Sequence, residues 1–330
     1  MSTRAAGCLG LTGLALLVLG VDLGLGEGGM ERVAAYPQTG RAGTDGMWDA
    51  SRVPFVPELF SGPALAQFYD KAERDELQAV PYFEGLMAGE PEALVKSFAA
   101  EPELYDPIRG RVKGRRAFEA FVSDMNAWIA RRNVTVENVQ HVVSRGSGFE
   151  EVILHLDGDS GRIDLPFAMV ADREPDGHID ELRIYFSTWA LTGRHTRRPP
   201  LLQPDPELAA PGLVADYLRA LGTGELDAVL ATFERDGSVR EPAGGQYLHS
   251  GPDDVRAFYA QWFSHGGAVP LEPCALTADQ HACALEYNVV RWGHTELTPQ
   301  AGLAVFVPGQ SGKLAAVRIY DDVDPSATAR

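Results

Sequence analysis

Cysteine is scarce in this chain: Cys8, Cys274 and Cys283 are the three in 330 residues. Three thiols make no disulfide framework, and none is clustered with histidine as a metal motif requires. Cys274 and Cys283 could meet on adjacent strands, but two small buried apolar side chains are the simpler reading, and a reducing compartment fits. Positive charge is short as well. Asp and Glu number 46 against 29 Lys and Arg, a formal charge of −17 at pH 7 with a pI near 4.9. No basic stripe interrupts that acidity, which would repel a phosphate backbone, so no nucleic-acid partner is expected. Paired histidines are missing too. His141, His155, His281 and His294 fall singly in predicted strands or hairpins, so no metal is expected.

Long apolar runs are absent apart from one near the start. Arg4 precedes a leucine-rich stretch from Ala5 to Val21 that Asp22 closes. Residues 1–29 therefore read as an export signal, a short membrane anchor or a mis-assigned start, with Met30 and Met47 as alternative starts. The run is short for a span, and Cys8 precedes it where a lipoprotein cysteine would follow. A cytoplasmic location is expected, with export or anchoring the alternative if the segment is genuine. Residues 30–62 read as a loop or disordered extension.

What the sequence does contain is a long repeat. Tyr82, Gly89, Glu90, Phe98 and Pro107 recur as Tyr217, Gly224, Glu225, Phe233 and Pro242, and Arg183-Ile184-Tyr185 recurs as Arg318-Ile319-Tyr320, always 135 positions later. A unit of that size is a domain able to bury its own core, not a solenoid repeat. The plan is a first domain over 63–191 with an added helix over 64–79, a proline-rich linker over 192–211, and a second domain over 212–330. In each copy an apolar helix, a Gly-Glu turn, a second helix, a short strand ending in Asp106-Pro107 or Glu241-Pro242, and a third helix precede a run of strands. Helices first and strands afterwards point to α+β: about three helices on a curved antiparallel sheet, closing a cone with a pocket.

The stretches YFEGLMAGEPEALVKSFAAEPELYDP, GRRAFEAF and GHIDELRIYF, and in the second copy YLRALGTGELDAVLATFERDGSVREP, SGPDDVRAFY and GKLAAVRIY, resemble the SnoaL-like and ketosteroid-isomerase-like group of the nuclear-transport-factor-2-like superfamily. Carried onto this sequence, the isomerase pattern implies Tyr82 and Tyr217 as oxyanion-hole tyrosines and Asp106 and Glu241 as catalytic acids. The pattern's second acid would fall near Ala168 and near Ala301 or Gly302, where no carboxylate stands. An epoxide-hydrolase-like reading is disfavoured because its last acid would be Ile184 or Ile319, and Arg162-Ile163-Asp164 lies on the wrong strand. Tandem epoxide-opening cyclases of the same group supply a third pattern, in which Glu137 and Glu272 join Asp106 and Glu241 as one acid pair per domain. There an apolar pocket keeps one carboxyl protonated as acid while its ionised partner acts as base.

The resemblance implies a cofactor-free isomerase, cyclase or epoxide-opening enzyme acting on a lipophilic small molecule such as a polyketide or steroid-like compound. It also implies that the two domains pair within one chain in place of a homodimer. Glu241 is expected in an apolar pocket within reach of Tyr217. The alternative is a non-catalytic binding or assembly module, which side-chain-filled cones would favour.

Overall fold

The computed structural model describes residues 91–323 apart from 145, 160, 243–246 and 265. The expected helix over 64–79, the first apolar helix of the first copy and Tyr82 lie outside the described residues. In chain order the first half contains α1 (Pro91–Val95), β1 (Glu103–Asp106), β2 (Gly110–Lys113), α2 (Arg115–Arg131), β3 (Thr135–Val143), β4 (Ser147–Gly158), β5 (Gly161–Arg173) and β6 (Ile179–Tyr185). A single turn, α3 (Trp189–Thr192), follows in the connection. The second half contains α4 (Gly212–Thr223), α5 (Leu226–Ala231), β7 (Phe233–Arg240), β8 (Leu248–Ser250), α6 (Gly251–Phe263), β9 (Leu271–Ala278), β10 (Cys283–Trp292), β11 (Thr295–Pro308) and β12 (Leu314–Tyr320). No helix among the described residues is long and apolar enough to cross a membrane.

The long helices form because their apolar residues recur on one face. Phe118, Phe121, Val122 and Ile129 bury the inner stripe of α2, and Val255, Phe258 and Tyr259 do the same for α6. The helix α4 stops at Gly224, which is left-handed at φ 74°; a Cβ there would stand 2.7 Å from the Ala268 nitrogen, so the Gly-Glu turn requires glycine.

Each half carries a six-stranded sheet, ordered β2-β1-β6-β5-β4-β3 and β8-β7-β12-β11-β10-β9, so the strand order is duplicated as the repeat requires. The sheets are mixed, where a purely antiparallel sheet is expected from sequence. The strand β1 runs parallel to β6, with Leu104 opposite Leu182, and β7 runs parallel to β12. The cause is the first hairpin. The segment after Asp106-Pro107, expected as a loop, turns back as β2 to cover the outer edge of β1, and β6 must then enter on the inner edge alongside β1.

Both faces of each sheet are covered, which is why strands such as β5 read as nearly unbroken buried runs. One face packs on its own helices: Phe118 and Phe121 against Val152, Leu154 and Met169 in the first half, and Tyr217 and Tyr259 against Leu285, Ala304 and Ile319 in the second. The other faces pack on each other through a third core that includes Phe149, Val170 and Tyr185 with Leu303, Val305 and Tyr320. Each fully buried aromatic or aliphatic side chain contributes about 1.5–3 kcal/mol over its exposed state.

This shared face also carries buried charge in a two-fold pattern. Arg183 bonds Glu286 at 2.6 and 2.9 Å, and Arg318 bonds Glu151 at 2.5 and 2.5 Å. Tyr185 donates to Glu286 and Tyr320 to Glu151, each at 2.6 Å. Every partner in the first set lies 135 positions from its counterpart in the second, so the two halves exchange the same contacts. Both tyrosines are therefore wall residues between the sheets.

Candidate active site

In the first half the concave face of the sheet and α2 enclose a cavity of about 510 Å³. The sheet side is apolar, with Leu154, Leu165, Phe167 and Phe186. The helix side presents Asp124, Met125, Trp128 and Arg131, a stripe at i, i+1, i+4 and i+7, and Leu191 of α3 closes another part of the wall.

Asp106 reaches this cavity because β1 ends there and the chain must turn before proline. Its Oδ1 accepts the backbone N–H of Ile108 and of Arg109, both at 2.8 Å, fixing the carboxyl in a side-chain-capped turn. The residue is 4% exposed, and among the described residues its Oδ2 takes no hydrogen bond. Across the mouth Arg109 pairs with Asp124 at 3.0 Å and lies over the Phe121 ring. One oxygen of Asp106 is thus spent on structure, while the carboxyl as a whole remains on the wall of an apolar cavity.

Glu137 does not join it. The chain places Glu137 on the opposite face of the sheet, half exposed, 3.0 Å from His155 Nε2, while Asp164 holds His155 Nδ1 at 2.6 Å. That arrangement raises the His155 pKa, mainly through the Asp164 hydrogen bond. The physical reason is a β-bulge: the register of β3 on β4 shifts between Asn138 and Gln140, so Glu137 lies on the face of Glu151 and Ile153 instead of the face of His141. The matching strand repeats the device. The register of β9 on β10 shifts so that Glu286 faces Ala275 and Tyr287 faces Pro273, leaving Glu272 opposite Asn288, exposed and on the sheet's other face. Arg162 and Asp164 also point away from the cavity, Arg162 pairing with Asp157 at 2.9 Å.

The concave face of the first half holds an acid that composition and spacing did not single out. Glu150 opposes Met169 on β5 and His141 on β3, one register step beyond Val152 and Phe167. It is 1% exposed, among the described residues its two oxygens take no hydrogen bond, and His141 Nδ1 stands 4.0 Å from Oε1. Burial raises its pKa well above the carboxylate range and lowers that of His141 to about 3. Burial of this kind favours the neutral form of the carboxyl. A signal did exist in the sequence: Glu150-Glu151 are adjacent in a strand that is apolar on both faces, so one acid had to enter each core.

The second half uses the same positions differently. Tyr217 is buried as expected, but its hydroxyl bonds Tyr259 at 2.8 Å and its ring packs edge-on against Phe306 and Phe233. Burial raises its pKa, the Tyr259 bond opposing. The space left inside this cone is about 10 Å³, walled by Tyr217, Trp262, Tyr287, Trp292 and Asp321 among others. Glu241 is not the acid that meets Tyr217. It lies outside that space, half-buried, bonded at 2.9 Å to His249, which packs on Phe258. The acid inside is Asp321, which accepts the Tyr287 hydroxyl at 2.9 Å; burial pushes its carboxyl up to about 6, with the bonds from Tyr287 and the Val323 N–H opposing. A shallow hollow of about 460 Å³ beside α4 and α5 lies outside the cone. Among the described residues no group of three or more His, Cys, Asp or Glu is placed to hold a metal ion.

Comparison with known proteins agrees with this architecture. Residues 214–317 match the family model of the SnoaL-like domain. No curated protein sequence matches the chain. Solved structures similar to it include a candidate polyketide cyclase from Sinorhizobium meliloti, at 22% identity over 33% of this chain and 94% of that one, with a TM-score of 0.29. A second is SalBIII, an epoxide hydrolase/cyclase-like enzyme of pyran ring formation in the polyether salinomycin, at 21% identity over 35% and 91% of the two chains, with a TM-score of 0.28. A third is a protein from Catenulispora acidiphila with a ketosteroid isomerase-like fold, in complex with trimethylamine, at 15% identity over 37% and 94%, with a TM-score of 0.31. The stretch that matches the SnoaL-like domain model lies within the second half, and the first half repeats that half's strand order.

Proposed function

We propose that the chain is a cofactor-free general acid/base enzyme of the isomerase, cyclase or epoxide-opening type, with its site in the first half and a lipophilic small molecule as substrate. The observation that carries this reading is the first cavity: roomy, apolar on the sheet side, and with the Asp106 carboxyl on its wall. Glu150, protonated through burial and on the same concave face, is the residue with the chemistry of a proton donor. Two of the large apolar side chains exposed among the described residues flank the site, Ile108 at its mouth and Trp189 beside Leu191, as suits a lipophilic ligand.

For the second half, the filled cone favours the other reading, a non-catalytic assembly module. In it, the half supplies the face that a single-domain relative would bury against a second copy.

The test is 5-nitrobenzisoxazole, whose ring opens when a base removes one C–H proton. The wild-type chain should open it faster than the Asp106→Asn variant by about 10²- to 10⁴-fold, the usual range for a positioned base. Equal rates would remove the general-base reading and leave the binding module.

A further inference from the structure

We propose that Asp322, a residue of the second half, is a positioning residue for the cavity of the first, because its carboxylate fastens both ends of the loop that carries α3. This inference rests on the cavity assignment above. The helix α3 is four residues long, too short to hold its own conformation in water. It nevertheless supplies Leu191 to the cavity wall, and Ala190 and Leu191 pack on the first half's core.

What fixes α3 is one carboxylate from the far end of the chain. On the entering side Ser187 Oγ donates to Asp322 Oδ1, and Thr188 donates to Oδ2 through its hydroxyl at 2.7 Å and its backbone N–H at 3.2 Å. On the leaving side His195 Nδ1 stands 2.9 Å from Oδ1, and the Thr196 N–H donates to Oδ2 at 2.6 Å. Further links across the loop include the Thr188 hydroxyl, 2.8 Å from both the Arg194 carbonyl oxygen and the Thr196 hydroxyl, and the Trp189–His195 ring stack at 4.7 Å, and they join the same two ends. Asp322 is 8% exposed. Burial alone would raise its pKa, but the bonds from His195, Ser187, Thr196 and Thr188 outweigh it and hold the carboxyl below its ordinary value.

The repeat explains how such a contact arose. Ser187 and Asp322 are the same position of the two copies, 135 residues apart. In a symmetric pair of identical chains each would meet its own kind. Fusion into one chain lets one position become the donor and its counterpart the acceptor, so the second half acquires a role at the first half's cavity without a cavity of its own.

The experiment is titration of the full chain with Nile red, an apolar probe that brightens on leaving water. Phe167→Trp, which fills the cavity, should abolish binding. Asp322→Ala and Leu191→Ala should each weaken it by about tenfold, the size of one charge-assisted hydrogen bond, and the double variant should be no weaker than either alone. Asp322→Asn, which keeps one acceptor oxygen, should fall between wild type and Asp322→Ala, and stands in if the alanine variant does not fold. Binding unchanged in the Asp322 variants while Phe167→Trp blocks it, or losses that add in the double variant, would overturn this proposal alone. Binding unchanged in Phe167→Trp would overturn the cavity assignment, and this proposal with it.

Discussion

Among the described residues the concave face of one half lines a cavity of about 510 Å³ and that of the other a cavity of about 10 Å³, although both halves have the same strand order. The contrast comes from a few matched positions. Where the first half has Val122, Met125 and Val152, the second has Tyr259, Trp262 and Tyr287. These aromatics pack on Tyr217, Trp292 and one another, converting a concave site into core. Phe186 and Asp321 are also matched, so the acid of the second cone stands where the first has an apolar wall. At the sheet interface Arg183, Glu286 and Tyr185 recur as Arg318, Glu151 and Tyr320, although Arg240, which also bonds Glu151, stands where the first copy has Tyr105. Side chains that must meet a twin are held in common, while those facing the cones have diverged.

The largest effect that would sharpen this comparison is catalytic. Asp106→Asn should cost about 10²- to 10⁴-fold in ring opening of the benzisoxazole probe, whereas Glu241→Gln should leave the rate within about twofold, because Glu241 does not line the cavity of its own half and is bonded to His249. A large loss in Glu241→Gln would break the assignment of one working half.

Next in size is the shared interface, where the halves should respond alike. Glu286→Gln leaves buried Arg183 facing an amide and Glu151→Gln leaves Arg318 and Arg240 doing so, and each should lower stability by about 3–5 kcal/mol in urea unfolding. A marked inequality between them would show that the two-fold contacts are unequal in energy. Trp262→Ala should cost about 3 kcal/mol by leaving a void in the second cone, and Ala127→Trp should instead abolish Nile red binding in the first.

Asp321 gives a pH-dependent contrast. Its folded pKa of about 6 lies above the roughly 3.9 of an unfolded Asp, so the protonated form is favoured by folding. Its contribution is fully present below about pH 4 and is lost as pH rises through about 6, a change on the order of 3 kcal/mol. Asp321→Asn should therefore be more stable than wild type above about pH 6, the advantage vanishing below about pH 4, as urea titrations at several pH values would register. The smallest effect is expected at Glu137, where the change to Gln on an exposed face should alter stability by less than about 0.5 kcal/mol and leave the probe reaction unchanged.

Much of the fold was legible because it was written twice. A second copy marks helices and strands more firmly than one periodic stretch could, as with Phe118, Phe121 and Val122 on α2 against Val255, Phe258 and Tyr259 on α6, where the register is two residues longer. Asp106 was legible for a local reason, since an acid before proline at a strand end caps its own turn wherever the strand lies. The hairpin partner β2 was missed because four residues with a single buried side chain carry almost no alternation. The resemblance pairs Glu137 and Glu272 with Asp106 and Glu241, whereas a bulge that only the pairing with the neighbouring strand reveals puts both on the sheet's other face.

By itself, then, the sequence determined the duplication, the α+β order of elements, the positions of the buried stripes and the acid at the end of β1, all of which follow from local periodicity and turn chemistry. Only the tertiary structure decided which face each strand acid occupies, which cone stays open, and that Asp322 of one copy closes on Ser187 of the other. Those outcomes depend on register, on the summed volume of side chains brought together from distant segments, and on the packing of one sheet against its twin, none of which is a property of any short stretch of chain.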